Sequence, residues 1–203
     1  MEATRRRPYR LQRRAERQAE TRTRILDAAV SLYEDVGPSR TTISAVAARA
    51  GVQRLTVYRH FPTDGKLAAA AAERHLARYP LPNMSDWFAV RDPQARLELA
   101  LTELYGFYRA SERATASVLR DERVLPALRD GLRDLLEPLA ILPTALSEGW
   151  PTLGPDGRRR LSAVIAHGLE FGTWRSLTAN GRLADGEAVA LIAGLARSAA
   201  RDD

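Results

Sequence analysis

Residues 41–67 read TTISAVAARAGVQRLTVYRHFPTDGKL, and this stretch decides the fold of the N-terminal part of the chain. Thr42 is a good helix N-cap, because its hydroxyl can accept a hydrogen bond from one of the unpaired N–H groups at a helix start. Gly51 can adopt the left-handed conformation that ends a helix, and Pro62 stops the next one. The pattern therefore predicts two short helices joined by a tight turn, the second over about 54–60.

The first of these helices has an apolar stripe whose members recur at three and four residues, as one face of an amphipathic helix does. The stripe consists of Ile43, Val46, Ala47 and Ala50, and Val52 follows at the corner. Two helices joined by a short turn that contains Gly form the helix-turn-helix motif, which places its second helix in the major groove of DNA. The sequence therefore predicts a DNA-binding motif.

The same residues resemble the N-terminal domain of TetR-type transcriptional regulators. The match covers about 24–67 and rests on Thr-Thr-Ile at 41–43, Ala-Gly-Val at 50–52 and Tyr-Arg-His-Phe at 58–61. The resemblance implies an all-α fold, with an N-terminal three-helix helix-turn-helix domain and a C-terminal helical domain for ligand binding and dimerisation. It also implies a homodimer that binds a double-stranded DNA operator and a small-molecule effector.

Nine residues of this motif are predicted to contact DNA. They are Thr42, Ser44, Gln53, Arg54, Leu55, Thr56, Tyr58, His60 and Lys66. Arg54 is the leading candidate for base reading, because a guanidinium can bond both O6 and N7 of guanine. Tyr58 and His60 match positions where the family contacts phosphates or the groove, and packing is the alternative role for His60.

The sequence departs from the family pattern at three positions. Gln53 stands where the family often has Ser or Thr, and Leu55 where it more often has a small residue. Asp64 takes the place of a Lys that commonly contacts phosphate, and Lys66 follows two residues later. Whether Lys66 replaces that Lys is left open, because its side chain need not point the same way.

The net charge of +6 resides in the first 24 residues, which hold nine Arg against three Glu, while the rest of the chain is neutral. A basic segment next to a DNA-binding motif is typical of phosphate contact. We expect residues 1–19 to form a mobile or loosely helical arm that touches the DNA backbone. The alternative is a solvated tail that only aids solubility.

Composition and motifs argue against several other classes of protein. The 203 residues include no Cys, so disulfides, thiolate metal sites and cysteine nucleophiles are excluded. The N-terminus lacks the apolar region of a signal peptide, and no apolar run approaches the ~18 residues of a membrane span, so we expect a cytoplasmic protein. We find no catalytic fingerprint, and three scattered His make a poor metal set. We predict no enzyme activity, no catalytic residue, no metal and no cofactor.

Three regions are expected along the chain: a basic arm over 1–19, a helix-turn-helix DNA-binding domain over 20–66 and a ligand-binding and dimerisation domain over 67–203. Pro80 and Pro82 break the helical pattern beyond the motif. We find no convincing strand. Besides the two helices of the motif, helices are predicted over about 21–36, 64–78, 93–110, 112–121, 126–148 with interruptions at Pro138 and Pro143, 158–180 and 187–201.

A ligand site is predicted in the C-terminal region from aromatic residues with polar tips and from the pair His167 and Glu170. The predicted ligand contacts are Tyr105, Tyr108, His167, Glu170 and Trp174. Tyr and Trp join an apolar body to a hydrogen-bonding tip, as pocket linings often do. The alternatives are ordinary core for the aromatic residues and a structural pair for His167 and Glu170.

The last two helices carry one apolar stripe each, and residues 171–177 resemble the end of some TetR-type regulators. Together these two features predict the homodimer interface. The stripes are Leu161, Val164, Ile165, Gly168 and Gly172 on one helix, and Ala188, Leu191, Ile192, Leu195 and Ala199 on the other. The alternative is that both stripes are intramolecular core.

The sequence as a whole predicts a ligand-responsive transcriptional regulator, which we expect to be a repressor that leaves a pseudo-palindromic operator when an effector binds. The helix over 64–78 is expected to connect the effector domain to the recognition helix. A DNA-binding protein without an effector, and a helical-bundle enzyme or ligand carrier, are the alternatives.

Overall fold

The computed structural model describes residues 3–151 and 154–201, which form α-helices joined by short turns. The helices are α1 (Ala3–Asp35), α2 (Ile43–Ala50), α3 (Arg54–His60), α4 (Asp64–Arg78), α5 (Met84–Ala89), α6 (Pro93–Asp121), α7 (Pro126–Leu136), α8 (Leu142–Leu146), α9 (Pro155–Gly168), α10 (Phe171–Arg175) and α11 (Asp185–Ala199). Short 3-10 segments occupy Pro38–Arg40 and Glu137–Ile141, and a π-helical turn occupies Ser176–Asn180. Because these described ranges contain no strand, the prediction of an all-α fold is confirmed.

The chain divides into two compact units, and the division passes through α6. The first unit comprises Met1–Arg78 and Ser117–Arg133, and the second comprises Tyr79–Ala116 and Asp134–Asp203. A segment from the middle of the sequence thus belongs with the N-terminal helices. The predicted division of function at residues 66 and 67 stays a prediction, because compactness does not say which residues bind DNA or a ligand.

The first unit has its core between α1, α2, α3 and α4. Ile25, Val46 and Val57 are fully buried there, one from each of the first three helices. The other buried side chains of this core are Leu26, Ala28, Ala29, Leu32, Ala47, Ala50, Phe61, Leu67, Ala70 and Ala71. The apolar stripe predicted for α2 therefore faces the core.

Helix α1 is much longer than the sequence predicts, since it begins at Ala3 rather than near residue 21. The predicted start followed the apolar periodicity, which reports the face a helix buries rather than where the helix begins. Residues 12–20, QRRAERQAE, consist of Ala, Arg, Gln and Glu, all strong helix formers. The basic segment is therefore continuous with the first core helix.

The second unit is built around α6, α9 and α11. Its largest fully buried side chains are Trp87, Leu97, Leu101, Tyr105, Leu146, Leu161, Ile165 and Trp174. Helix α9 approaches α11 so closely that a Cβ added at Gly168 would lie 2.5 Å from Cγ2 of Ile192. This close approach explains why Gly stands at the end of α9.

The helix predicted over 158–180 is interrupted, because α9 ends at Gly168 and α10 begins only at Phe171. Two tyrosine hydroxyls from α6 donate to backbone carbonyls at this break: Tyr105 to Gly168 O at 2.9 Å and Tyr108 to Leu169 O at 2.6 Å. Carbonyls at a helix end need donors from elsewhere. These long-range hydrogen bonds stabilise the break between α9 and α10.

Helix α6 begins as predicted but does not end near residue 110. The Asp92 carboxylate accepts a hydrogen bond from Ala95 N at 2.8 Å and so caps the helix start. At the expected break, Ser111 Oγ donates to Phe107 O at 2.8 Å and the helix continues to Asp121. No Gly or Pro stands there to end it. Helix α5 has no counterpart in the sequence prediction. Of the two interruptions predicted within 126–148, the one at Pro138 is present as the second 3-10 segment, whereas Pro143 lies in the first turn of α8.

Candidate DNA-binding interface

The geometry of the turn between α2 and α3 matches the sequence prediction. Thr42 Oγ1 accepts a hydrogen bond from Ala45 N at 3.1 Å and caps the start of α2. Gly51 has φ +65° and ψ +39°, the left-handed conformation that favours glycine. Val52 N then donates to Ala47 O at 2.9 Å and closes the corner. Helix α3 covers the predicted residues, so the helix-turn-helix is present.

One side of helix α3 is buried in the core of the first unit, and the opposite side is exposed to solvent. Val57 has no exposed surface, whereas Leu55, two residues before it, is 78% exposed. Positions two apart on a helix lie on nearly opposite sides. Arg54 and Tyr58 are also exposed, and among the described residues the Arg54 guanidinium has no hydrogen-bond or ion-pair partner. The exposed surface of α3 therefore offers a cation, an apolar side chain and a phenol.

All nine residues predicted to contact DNA reach solvent. Thr42, Ser44, Gln53, Arg54, Leu55, Tyr58 and Lys66 are exposed, and Thr56 and His60 are partly buried. The Lys66 backbone N–H donates to Thr63 Oγ1 at 3.2 Å, which caps the start of α4, and the Lys66 side chain is exposed. Their roles in DNA binding stay predictions.

His60 lies at the end of α3 in a positive environment. Burial lowers the pKa of His60, and the charges of Arg59 and Arg22 lower it further. Its Nε2 atom is buried and has no hydrogen-bond partner among the described residues. Beside it, the Arg22 guanidinium lies 5.0 Å from the centroid of the Phe61 ring. The lowered pKa favours the neutral form of His60, which is partly buried at the end of α3.

Sequence reasoning missed Arg59, which lies two residues after the buried Val57 and is exposed. The signal was available, because the anchoring role of Val57 places Arg59 on the outer side of α3. The family resemblance of residues 58–61 instead indicated Tyr58 and His60, the two neighbours of Arg59.

The five predicted ligand contacts differ in their burial. Tyr105 and Trp174 are at most 1% exposed and belong, with Tyr108, to a packed aromatic cluster. Phe171 completes this cluster with ring centroids 5.3 Å from Tyr108 and 5.4 Å from Trp174. His167 and Glu170 have side chains 68% and 67% exposed and lie 3.9 Å apart. Ligand binding by these residues stays a prediction.

The polar atoms of the aromatic cluster are satisfied within the second unit. Trp174 Nε1 donates to Asp185 Oδ1 at 3.0 Å, and Arg109 pairs with the same carboxylate. The hydrogen bond from Arg109 is the main reason why the pKa of Asp185 is lowered. The Arg109 guanidinium also lies 5.1 Å from the centroid of the Trp174 ring. These contacts tie α11 to α6 and α10.

The two stripes predicted for dimerisation are each divided between core and surface. Five members, Leu161, Ile165, Gly168, Ala188 and Ile192, are buried within the second unit. On α11, Leu191 is 43% exposed and Leu195 is 48% exposed, one helical turn apart. Val164, Gly172 and Ala199 also reach solvent. The intramolecular alternative thus accounts for half of the residues and leaves an apolar surface on α11.

The described residues offer no candidate for a membrane-spanning helix or for a metal site. No helix there has the length and apolar character that crossing a membrane requires. No group of three or more His, Asp or Glu side chains in the same residues is arranged to hold a metal ion.

Known proteins resemble this chain most strongly in its N-terminal part. Residues 25–71 match the family described as bacterial regulatory proteins, tetR family. An uncharacterized HTH-type transcriptional regulator of Mycobacterium tuberculosis is 44% identical over 59 residues, which make up 29% of this chain and 31% of that protein. The matched segment therefore spans about a third of that relative.

Solved structures extend the likeness in fold to most of the chain. A TetR-like regulator from Rhodococcus sp. RHA1 has a TM-score of 0.61 at 19% identity, over 87% of this chain and 93% of that one. The regulator FadR from Bacillus subtilis, in complex with stearoyl-CoA, has a TM-score of 0.61 at 21% identity, over 87% of this chain and 96% of that one. Residues 25–71 thus match the tetR family and fold as a helix-turn-helix, and most of the chain shares its fold with these solved regulators.

Proposed function

We propose that the protein is a cytoplasmic, homodimeric repressor that binds a pseudo-palindromic operator and leaves it when a small-molecule effector binds. The observation that carries this proposal is the anchoring of α3. Its buried Val57 fixes the helix while Arg54, Leu55 and Tyr58 extend into solvent. A helix held in this way after a glycine turn has the form that enters the major groove.

Each exposed side chain of α3 suits a different DNA group. The Arg54 guanidinium can donate to O6 and N7 of a guanine, which distinguishes that base from the other three. Leu55 offers an apolar contact to a thymine methyl group. The hydroxyl of Tyr58 can donate to a phosphate oxygen, which positions α3 without reading sequence.

A two-fold axis links the proposed dimer to the form of its operator. Leu191 and Leu195 give α11 an exposed apolar surface that a second subunit would cover. Two recognition helices related by a two-fold contact half-sites one DNA turn apart, ~34–36 Å, or at a related larger spacing. The operator should therefore carry dyad symmetry.

Effector response requires a ligand that prefers a conformation unable to bind the operator. Besides α4, we propose α6 as a connector, because it is one continuous helix whose residues belong to both units. Typical coupling of ~1–3 kcal/mol corresponds to a ~5–150-fold loss of DNA affinity. Since FadR of Bacillus subtilis was solved with stearoyl-CoA, acyl compounds belong among the lipophilic molecules to be tested.

Selection of binding sites from a randomised DNA pool tests the DNA part of this proposal. We expect enriched sequences with two inverted half-sites and at least one strongly preferred guanine in each. Recovery of sequences without dyad symmetry would contradict the proposal that a homodimer binds two inverted half-sites. A thermal-shift screen of lipophilic compounds, followed by operator binding with each hit, tests the effector part.

A DNA-binding protein without an effector is the second candidate. The packing of Tyr105, Tyr108 and Trp174 favours it, because their polar atoms already bond to Gly168, Leu169 and Asp185. Effector-dependent release separates the two candidates. Compounds that raise the melting temperature yet never change operator affinity would support this second function.

A further inference from the structure

A basic groove lies between the N-terminal half of α1 and the C-terminal end of α3. Its volume is about 540 Å³, within the range of sites that hold ligands in other proteins. Arg13, Arg14 and Arg17 line one wall, and Arg59 and His60 line the other. None of the residues that line the groove is acidic.

The groove exists because α1 continues beyond the edge of the core. Residues seven apart on a helix share a face, since seven residues make nearly two turns. Gln18, which also lines the groove, therefore lies on the face of Ile25 and Leu32, which are buried in the core. Towards the N-terminus that side of α1 changes from apolar to basic, with Arg14 and Arg17 beside Gln18.

Three arginines of the groove keep their charge without an ion-pair partner in the described part of the chain. No ion pair among the described residues involves Arg14, Arg17 or Arg59. Besides burial, the charges of Arg59 and Arg22 lower the pKa of His60, which indicates a positive potential at this end of α3. A groove with this charge and no acidic wall attracts a polyanion.

We propose that this groove binds the phosphodiester backbone of DNA beside the bases that α3 reads. The inference rests on the proposed function, because it requires DNA to lie against α3. From Arg13 to Thr21 the helix rises ~12 Å, and one DNA strand carries a phosphate every ~3.4 Å along its axis. The α1 wall can therefore meet about three phosphates. One guanidinium group can donate two parallel hydrogen bonds to the oxygens of one phosphate, so arginine side chains suit this ligand.

The salt dependence of DNA binding tests the groove. The Arg13→Gln/Arg14→Gln/Arg17→Gln variant removes three charges per subunit while keeping residues of high helix propensity. Affinity of the full-length protein is measured against KCl concentration for two duplexes, the selected operator and one of mixed sequence. With ~0.9 units of slope per phosphate, the plot of log K against log salt should flatten by about five units for the dimer on both duplexes. The base preference of the operator should not change.

Two matched variants show whether position and charge are responsible. Arg91→Gln/Arg158→Gln/Arg201→Gln removes the same charge from exposed positions of the second unit and should leave the slope within one unit. Arg13→Lys/Arg14→Lys/Arg17→Lys keeps the charge and should retain most of the slope. An equal flattening by the distant triple variant would overturn the inference, because it would show an effect of net charge alone.

The mixed-sequence duplex separates failure of the groove from failure of the proposed function. If the wild-type protein shows no operator preference, the repressor proposal fails, but the slope on mixed-sequence DNA still decides the groove. An unchanged slope on that duplex, in a glutamine variant with wild-type helical circular dichroism, would overturn the groove whatever the operator result.

Discussion

The buried carboxylate of Asp121 accepts a hydrogen bond from the backbone N–H of Ser39, with 2.8 Å between Oδ2 and N. Asp121 is 2% exposed and ends α6, whereas Ser39 lies in the 3-10 turn that leads into α2. Nearby, Ser117 Oγ donates to Tyr33 O at 2.7 Å, and Arg120 Nε donates to the other oxygen of Asp121 at 2.8 Å. Within the first unit, the end of α6 thus fixes the approach to the helix-turn-helix.

Removal of this carboxylate should destabilise the protein. Asp121→Ala leaves the Ser39 N–H without its acceptor, which should lower the free energy of unfolding by ~1–3 kcal/mol. Asp121→Asn retains an acceptor oxygen and should cost less. Urea denaturation measures both. Asp130→Ala removes an exposed carboxylate from the same unit and should stay within ~0.5 kcal/mol of wild type. Equal losses at the two positions would contradict the assigned contact.

The same contact predicts a pH dependence. Burial alone would raise the pKa of Asp121, but the hydrogen bonds from Arg120 and Ser39 outweigh burial and hold that pKa below its ordinary value of 3.8. Because the folded pKa lies below the unfolded one, the stabilisation is present above the unfolded pKa and is lost as pH falls through the folded pKa. The stability difference between wild type and Asp121→Asn should thus be constant from about pH 5 to 7 and shrink below about pH 4. A difference that persists at lower pH would contradict this account.

Two glycines should respond to alanine in opposite ways. A Cβ at Gly131 of α7 would lie 2.5 Å from the carbonyl oxygen of Gly65 in α4, and this backbone cannot yield cheaply. Gly131→Ala should therefore lower the free energy of unfolding by ~1–3 kcal/mol. At Gly106 of α6 a Cβ meets nothing within 4 Å, so Gly106→Ala should raise stability by ~0.5–1 kcal/mol through helix propensity. Thermal unfolding of the two variants tests whether α7 contacts α4 this closely.

The helix-turn-helix could be predicted from the sequence because its signals are local. The hydroxyl of Thr42, the left-handed Gly51 and the position of Pro62 act on residues within one helical turn of themselves. The helix bounds at α2 and α3 agree with the structure for that reason. The exposure of Arg54 and Leu55 follows from the helical periodicity of α3, because Val57 occupies its buried side.

Other features depend on contacts between residues far apart in sequence. The break after Gly168 is stabilised by hydroxyls of α6 more than sixty residues earlier. The placement of residues 117–133 in the first unit depends on contacts such as that between Asp121 and Ser39. The apolar stripes of the last two helices show what periodicity cannot predict. A core within one subunit and an interface between two subunits both require apolar residues at helical spacing, so the pattern does not distinguish them.

The exposed apolar surface of α11 predicts the effect of charge on assembly. Leu191→Asp/Leu195→Asp places two carboxylates on the proposed interface, where each would have to leave water on association. At micromolar concentration, sedimentation should shift from dimer to monomer while helical circular dichroism is unchanged. Val124→Asp serves as the control, because Val124 is 71% exposed in the first unit and should leave the dimer intact. A double variant that remains dimeric would place the interface elsewhere.

Base reading and phosphate binding on α3 should separate by mutation. Arg54→Ala removes the proposed contact to guanine, which should cost ~1–3 kcal/mol per half-site and relax specificity at one base position. Tyr58→Phe removes only the hydroxyl that is proposed to bind phosphate, so it should weaken operator and mixed-sequence duplexes by similar factors. Competition binding against operators with single base changes measures both effects, and Arg91→Ala controls for loss of one exposed charge. If Arg54→Ala keeps the wild-type base preferences, the guanine contact belongs to another side chain, and the adjacent exposed Gln53 becomes the next to test.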